Sequence, residues 1–200
     1  MLETVRALDE PRPEDVEAVH QELAKKKLGT SRTVQAQIER FRSLAAREAR
    51  VEPQEVEALL RLVARRADAG LVFTDAGRRA AREGINRIGK LTRVLQGLLP
   101  RASRNALGRV LARRVLERVF GIALFREGRR LVAEPAHSLS VEATPDGSAC
   151  KFYGAAVGAI LATFTEFDGA LLHDSCVGRG DRACRWHTSG TLTGAVHGPA

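Results

Sequence analysis

Apolar residues recur every three or four positions through the first part of the chain, then give way to alternation and short apolar runs after Phe120. "PEDVEAVHQELAKKK" opens on proline and two acids and closes on three lysines, the polarity that a helix dipole favours. In "TSRTVQAQIERFRSLAAREAR", Val34, Ile38, Phe41 and Leu44 make one stripe, and in "PQEVEALLRLVARR" a second stripe runs through Val56, Leu59, Leu60 and Val63. The first seventy residues therefore read as helical, divided by Pro11, Pro13 and Pro53.

Beyond Gly70, "LVFTDAGRRAAREGINRIGKLTRVLQGLL" predicts a long helix reaching Leu99 and capped by Thr74 or Asp75, although Gly77, Gly84 and Gly89 each lower its propensity. "SRNALGRVLARRVLERVF" predicts another helix that buries Leu107, Val110, Leu111, Val115 and Val119. "FGIALFREGRRLVAE" then reads as two strands about a turn at "REGR", and "SLSVEA" as a half-buried strand. "ACKFYGAAVGAILATF" is a helix for which Ser148 is a candidate cap. "GALLHDSCV" and "ACRWHTSG" are strands joined through "GRGD". The class expected is α+β, with N-terminal helices followed by a mainly antiparallel sheet packed with helices. Residues 1–70 form a helical extension in this reading, 71–189 a domain, and 190–200 a tail.

Composition narrows the chemistry. Phe152 to Phe164, the longest apolar run, is short of the roughly 20 residues that a membrane span needs, so no membrane span is expected. Three cysteines, with no basic-then-apolar leader in "MLETVRALDEPRPEDVE", argue against a disulfide framework and for a reducing, cytoplasmic setting. A formal charge of +8 and a sequence pI near 10.2 come from arginines concentrated between Arg78 and Arg130. Such a surplus attracts nucleic acid, acidic proteins or acidic membrane surfaces without choosing among them. The phosphate-loop, nucleophile-elbow and zinc-protease motifs are all missing, which leaves an enzyme the least expected outcome. Exposed apolar faces on the first helices would allow a homodimer.

Two of the three cysteines lie in "HDSCVGRGDRACRWH", on either side of a turn containing Gly178, Gly180 and Asp181. A hairpin there brings Cys176 and Cys184 together, and Cys150 opens the preceding helix, where the dipole favours a thiolate. Zinc in a structural role takes four thiolate or imidazole ligands. The fourth is His173 or His187 by spacing. Strand alternation places Cys184 and Trp186 on one face and His187 on the other, and His173 converges with Cys176 only if its strand bulges or has already entered the turn. Asp174 has the matching parity and would need no irregularity.

The segment from Ser140 to Trp186 resembles the C-terminal half of the 4-vinyl reductase domain family. That family's pattern is a cysteine opening a glycine-containing helix, a ligand three residues before a second cysteine, and a Gly-Asp before a third cysteine eight positions on. Cys150, Cys176, Cys184, Gly180 and Asp181 match it, and Gly154 and Gly158 suit the helix. The resemblance implies that His173 is the fourth zinc ligand, ahead of His187, where aromatic-sensing members carry glutamate. It also implies a structural zinc beside a cavity for a small hydrophobic, aromatic or tetrapyrrole ligand. Phe120, Phe125, His137, Phe152 and Tyr153 are the candidate lining. Members include sensor domains of transcriptional activators, proteins linked to bacteriochlorophyll synthesis, and distant relatives among vesicle-tethering subunits. Two alternatives stand beside a binding or sensing role. One is a reductase or pigment carrier, although no dinucleotide fingerprint supplies a hydride source. The other is a DNA-binding regulator, because Val34 to Arg66 followed by "DAGLVFTDAGRRAA" resembles the end of a winged helix, although acids open the helix that would have to read the groove.

Overall fold

The computed structural model describes residues 1–9, 32–47, 49, 51–88, 98–136, 144, 146–165 and 167–189. Its elements in chain order are α1 (Leu2–Asp9), α2 (Arg32–Ala46), α3 (Pro53–Ala64), α4 (Ala69–Asn86), α5 (Arg101–Val115), β1 (Ile122–Glu127), β2 (Arg130–Pro135), α6 (Cys150–Phe164), β3 (Leu171–Ser175) and β4 (Arg185–Thr188). The strands form one antiparallel sheet in the order β1-β2-β4-β3, so the class is α+β. The helix expected over "PEDVEAVHQELAKKK" and the strand expected over "SLSVEA" lie outside the described residues, as does the tail from Gly190.

Both N-terminal stripes do what their spacing implies. Ile38 of α2 is buried, while Leu60 and Val63 of α3 join Val5, Val72, Phe73 and Ala149 in one apolar cluster. A larger cluster lies between α4, α5, α6 and the sheet, and includes Ile85, Leu116, Leu124, Leu131, Val157, Ile160 and Trp186. α6 serves both clusters from its first turn, since Cys150 belongs to the larger one while Ala149 and Phe152 border the smaller.

Helix α4 departs from its expected bounds. It begins at Ala69 and ends at Asn86 with Arg87 as C-cap, so Thr74 and Asp75 lie inside it and do not cap it. The Thr74 hydroxyl donates to the Gly70 carbonyl at 2.8 Å, and Asp75 pairs with Arg79 at 2.6 Å. The strand and turn that a winged helix requires at "LVFTDAG" are therefore helical. Gly77 costs helix propensity but allows α4 to approach α6 closely, because a Cβ there would run into the Phe152 carbonyl oxygen.

Val110 on α5 and Val119 in the turn that continues it have inward spacing in the sequence but lie outside the core. Val110 is 57% exposed, because the buried stripe runs through Leu111, Ala112 and Val115. Val119 is 42% exposed, because the helix widens into a π-helical turn over Leu116–Phe120. The wider turn carries Phe120, in place of Val119, against the core. The β1-β2 hairpin turns at Gly128 and Arg129, within the expected "REGR", with Gly128 at φ 58°.

Candidate metal centre

Cys150, His173, Cys176 and Cys184 converge, with one candidate ligand atom from each and all four atoms within 4.8 Å of one another. The three sulfurs form a nearly equilateral triangle with sides of 3.8, 3.8 and 3.9 Å. Thiolates bound at about 2.3 Å to a single ion stand about 3.8 Å apart at tetrahedral angles. A disulfide would bring two of them to about 2.05 Å, so the spacing suits a shared ion and not a bond. All three thiols are buried.

Local folding explains the convergence. β3 pairs His173 with Trp186 and Ser175 with Arg185, two steps on one strand against one on the other, so β3 bulges at Asp174. That extra residue corrects the parity of His173 relative to Cys176, and the imidazole turns to the helix-facing side. There it stacks on the Trp186 indole, with centroids 4.6 Å apart and planes 8° from parallel. Asp174 and His187, the other candidates by spacing, point to the opposite face and approach each other at 3.5 Å. Cys184 and Trp186 share the inner face, as alternation requires, and His187 does not.

The knuckle between β3 and β4 is held by hydrogen bonds that involve Cys176. Its N–H donates to the Asp181 carboxylate at 2.7 Å, and its carbonyl accepts from the N–H groups of Arg179 and Asp181 at 2.8 and 3.2 Å. Asp181 therefore positions a thiol as part of the turn. The Arg179 guanidinium donates to the His173 and Asp174 carbonyls at 3.3 and 3.2 Å, which pins the bulge. At the third corner, Ser148 does not cap α6. Thr144 does the nearest equivalent: its hydroxyl oxygen accepts from the Ala149 N–H at 3.2 Å. The Cys150 N–H donates to the Gly147 carbonyl at 3.0 Å. Gly147 has φ 71°, and a Cβ there would lie 2.8 Å from the Cys176 sulfur, so only glycine closes this corner.

The donor set fits a metal. His173 Nε2 is buried with no hydrogen-bond partner, which is costly for a polar atom unless an ion takes its lone pair. Burial, with the nearby Arg179 charge second, holds the His173 imidazole below its usual pKa, and the neutral form is the one that ligates.

The other sequence-predicted residues are dispersed. Phe120, Phe152 and Tyr153 form a run of ring contacts that continues to Trp186, at 6.1, 5.4 and 6.3 Å between centroids. Burial raises the Tyr153 phenol pKa. Phe125 does not join them. Strand alternation turns it to the outer face of the sheet, 37% exposed, where the Arg185 guanidinium lies 5.7 Å from its ring. His137 lies outside the described residues. Where a cavity was expected between sheet and helices, the Trp186 indole lies against α6 at Gly154. An apolar hollow of about 340 Å³ lies instead among α1, α2 and α3, lined by Met1, Ile38, Phe41, Val56 and Leu59 among others. Sequence reasoning missed it because no single stretch carries it.

Fold and site together define an α+β structure with a cluster of three buried cysteines and a half-buried histidine that could hold a metal ion. No family model, curated protein or solved structure matches the chain. Among the described residues no helix is long and apolar enough to cross a membrane.

Proposed function

We propose that the cluster holds one structural zinc ion, and that the chain is a zinc-stapled domain of the 4-vinyl reductase type that binds or senses a small hydrophobic molecule. The sulfur triangle carries the metal part of this reading. Three thiolates and one imidazole are a soft, tetrahedral set that favours zinc, and the tightness of the triangle suits one ion better than an iron–sulfur cluster, whose cysteines surround several metal atoms. Four protein ligands leave no open coordination position, so the ion's role would be to staple α6 to the β3-β4 knuckle and not to activate water.

The ligand-binding part rests on the residue pattern from Cys150 to Cys184, supported by the arrangement of Cys150, His173, Cys176 and Cys184 around one point. A binding or sensing role fits this set better than a reductase, for which the chain carries no dinucleotide fingerprint.

The test is elemental analysis of protein purified without a histidine tag or chelator, with organic extraction of the same sample. About one zinc per chain and a co-purified aromatic or pigment would support both halves of the reading. Zinc without an extractable ligand keeps the staple and removes the sensor. Absence of any metal overturns the reading at its base.

A further inference from the structure

The hollow among α1, α2 and α3 is built by the same helix stripes that make the N-terminal core. Ile38 and Phe41 come from α2, Val56 and Leu59 from α3, and Met1 and Leu2 close the third side. Met1, Val56 and Leu59 also pack against the N-terminal cluster, so these walls rest on buried structure and need no ligand to hold them in place. At about 340 Å³ the hollow lies within the roughly 300–1,000 Å³ of small-molecule sites, which are mostly apolar and largely pre-formed.

Its chemistry selects the occupant. The charged side chains that border it, Glu3 and Arg42, pair with each other at 2.7 Å on the water side, 44% and 63% exposed. A charged ligand would leave water without finding a free counter-ion, which is costly. Water is held in a buried site by about two to four polar partners, and the apolar walls offer none. A protein partner needs a wider surface, about 800 Å² on each side. None of the large apolar side chains that stand exposed among the described residues lines this hollow, so its apolar surface is recessed.

We propose that the hollow binds one small, uncharged, apolar molecule of about ten to twenty heavy atoms. This rests on the binding role proposed above and gives it a place in the N-terminal helices. The space between sheet and α6 is not that place, because Trp186 already lies there against Gly154.

The probe is N-phenyl-1-naphthylamine, an uncharged dye that brightens in apolar surroundings, titrated with the full, metal-loaded chain. Zinc content and circular dichroism are recorded for every variant. A dissociation constant on the order of tens of micromolar is expected for a ligand of about seventeen heavy atoms. Val56→Phe fills the hollow from its wall, and Ala45→Phe fills it from an exposed position that puts little of the fold at risk. Each should weaken binding at least about tenfold with zinc content unchanged. The sulfonated analogue of the dye, 8-anilino-1-naphthalenesulfonate, should bind the hollow at least about tenfold more weakly than the neutral dye. Neutral-dye binding that survives both substitutions overturns the placement and leaves the binding role of the chain intact. No brightening with the chain at about 200 µM, well above the expected constant, overturns both. An anion held as tightly as the neutral dye, and released by the same substitutions, overturns the uncharged ligand. Dye binding in the hollow by a chain without zinc upholds this site while overturning the zinc half of the proposed function.

Discussion

The two apolar clusters of this protein are held in different ways. The N-terminal one, around Val63, Val72 and Phe73, consists of helix stripes and has no chemistry beyond packing. The C-terminal one includes three thiols and leans on a point where four ligand atoms meet. Packing is distributed, so losing one side chain costs what that side chain buries. A metal centre is concentrated, and losing one ligand removes a large share of the ion's binding free energy from the fold. α6 joins the two, which makes the difference measurable within a single chain.

The largest break should therefore come from a ligand. Replacing Cys184 with serine, or stripping the metal with a chelator, is expected to cost several kcal/mol, a substantial part of the ~10–16 kcal/mol by which zinc stabilises small zinc domains. Thermal unfolding of loaded and stripped protein checks this. The loss should appear in the near-ultraviolet signal of Trp186, which stacks on a ligand, before it appears in the N-terminal helices. Equal melting of loaded and stripped protein would remove the contrast between the clusters.

Phe73→Ala comes next. Phe73 is fully buried in the N-terminal cluster, and removing a ring from such a site costs about 3–5 kcal/mol. Zinc stoichiometry should nevertheless stay at the value of the parent protein. A variant that loses both stability and metal would show the clusters to be one cooperative unit.

These clusters also differ in how they could be read from sequence. The N-terminal helices follow periodicity: Val56, Leu59, Leu60 and Val63 face inward as their spacing demands. The metal centre follows residue chemistry, since three scarce cysteines and a histidine sit where a helix start and a hairpin can meet. What stayed illegible was geometry that neither signal encodes. The π-helical turn that exchanges Val119 for Phe120 leaves no trace in a 3.6-residue pattern, and Gly77 and Gly84 lower the propensity of α4 while Gly77 serves its contact with α6 and Gly84 its contact with Val115 and Val119. The family resemblance implies a cavity-lining Phe125, whereas alternation from the buried Leu124 turns it to the outer face.

That close approach gives a third, smaller test. Gly77→Ala is expected to cost about 1–3 kcal/mol, because its Cβ must displace the Phe152 backbone at the junction of the clusters, and overpacked sites lose stability in that range. Denaturant unfolding measures it. Here both clusters should weaken together, since Ala149, Cys150 and Phe152 share the first turn of α6.

The smallest effect should be at the bulge, where it matters which atom does the work. Asp174 is adjacent to a ligand and has the parity that an unbulged strand would need, so it is the natural rival of His173 for the fourth position. Its carboxylate instead points outward, with its side chain 64% exposed, and lies 3.5 Å from the His187 imidazole. The bulge itself is a backbone feature, pinned through the carbonyls of residues 173 and 174 by Arg179. Asp174→Ala should therefore keep the bulge and the metal, with a stability change within about 0.5 kcal/mol, as for an ordinary surface site. His173→Ala should lower metal affinity sharply. Titration of both variants with zinc against a competing chelator separates the two cases, and a loss of affinity in Asp174→Ala equal to that in His173→Ala would mean that the carboxylate holds the metal.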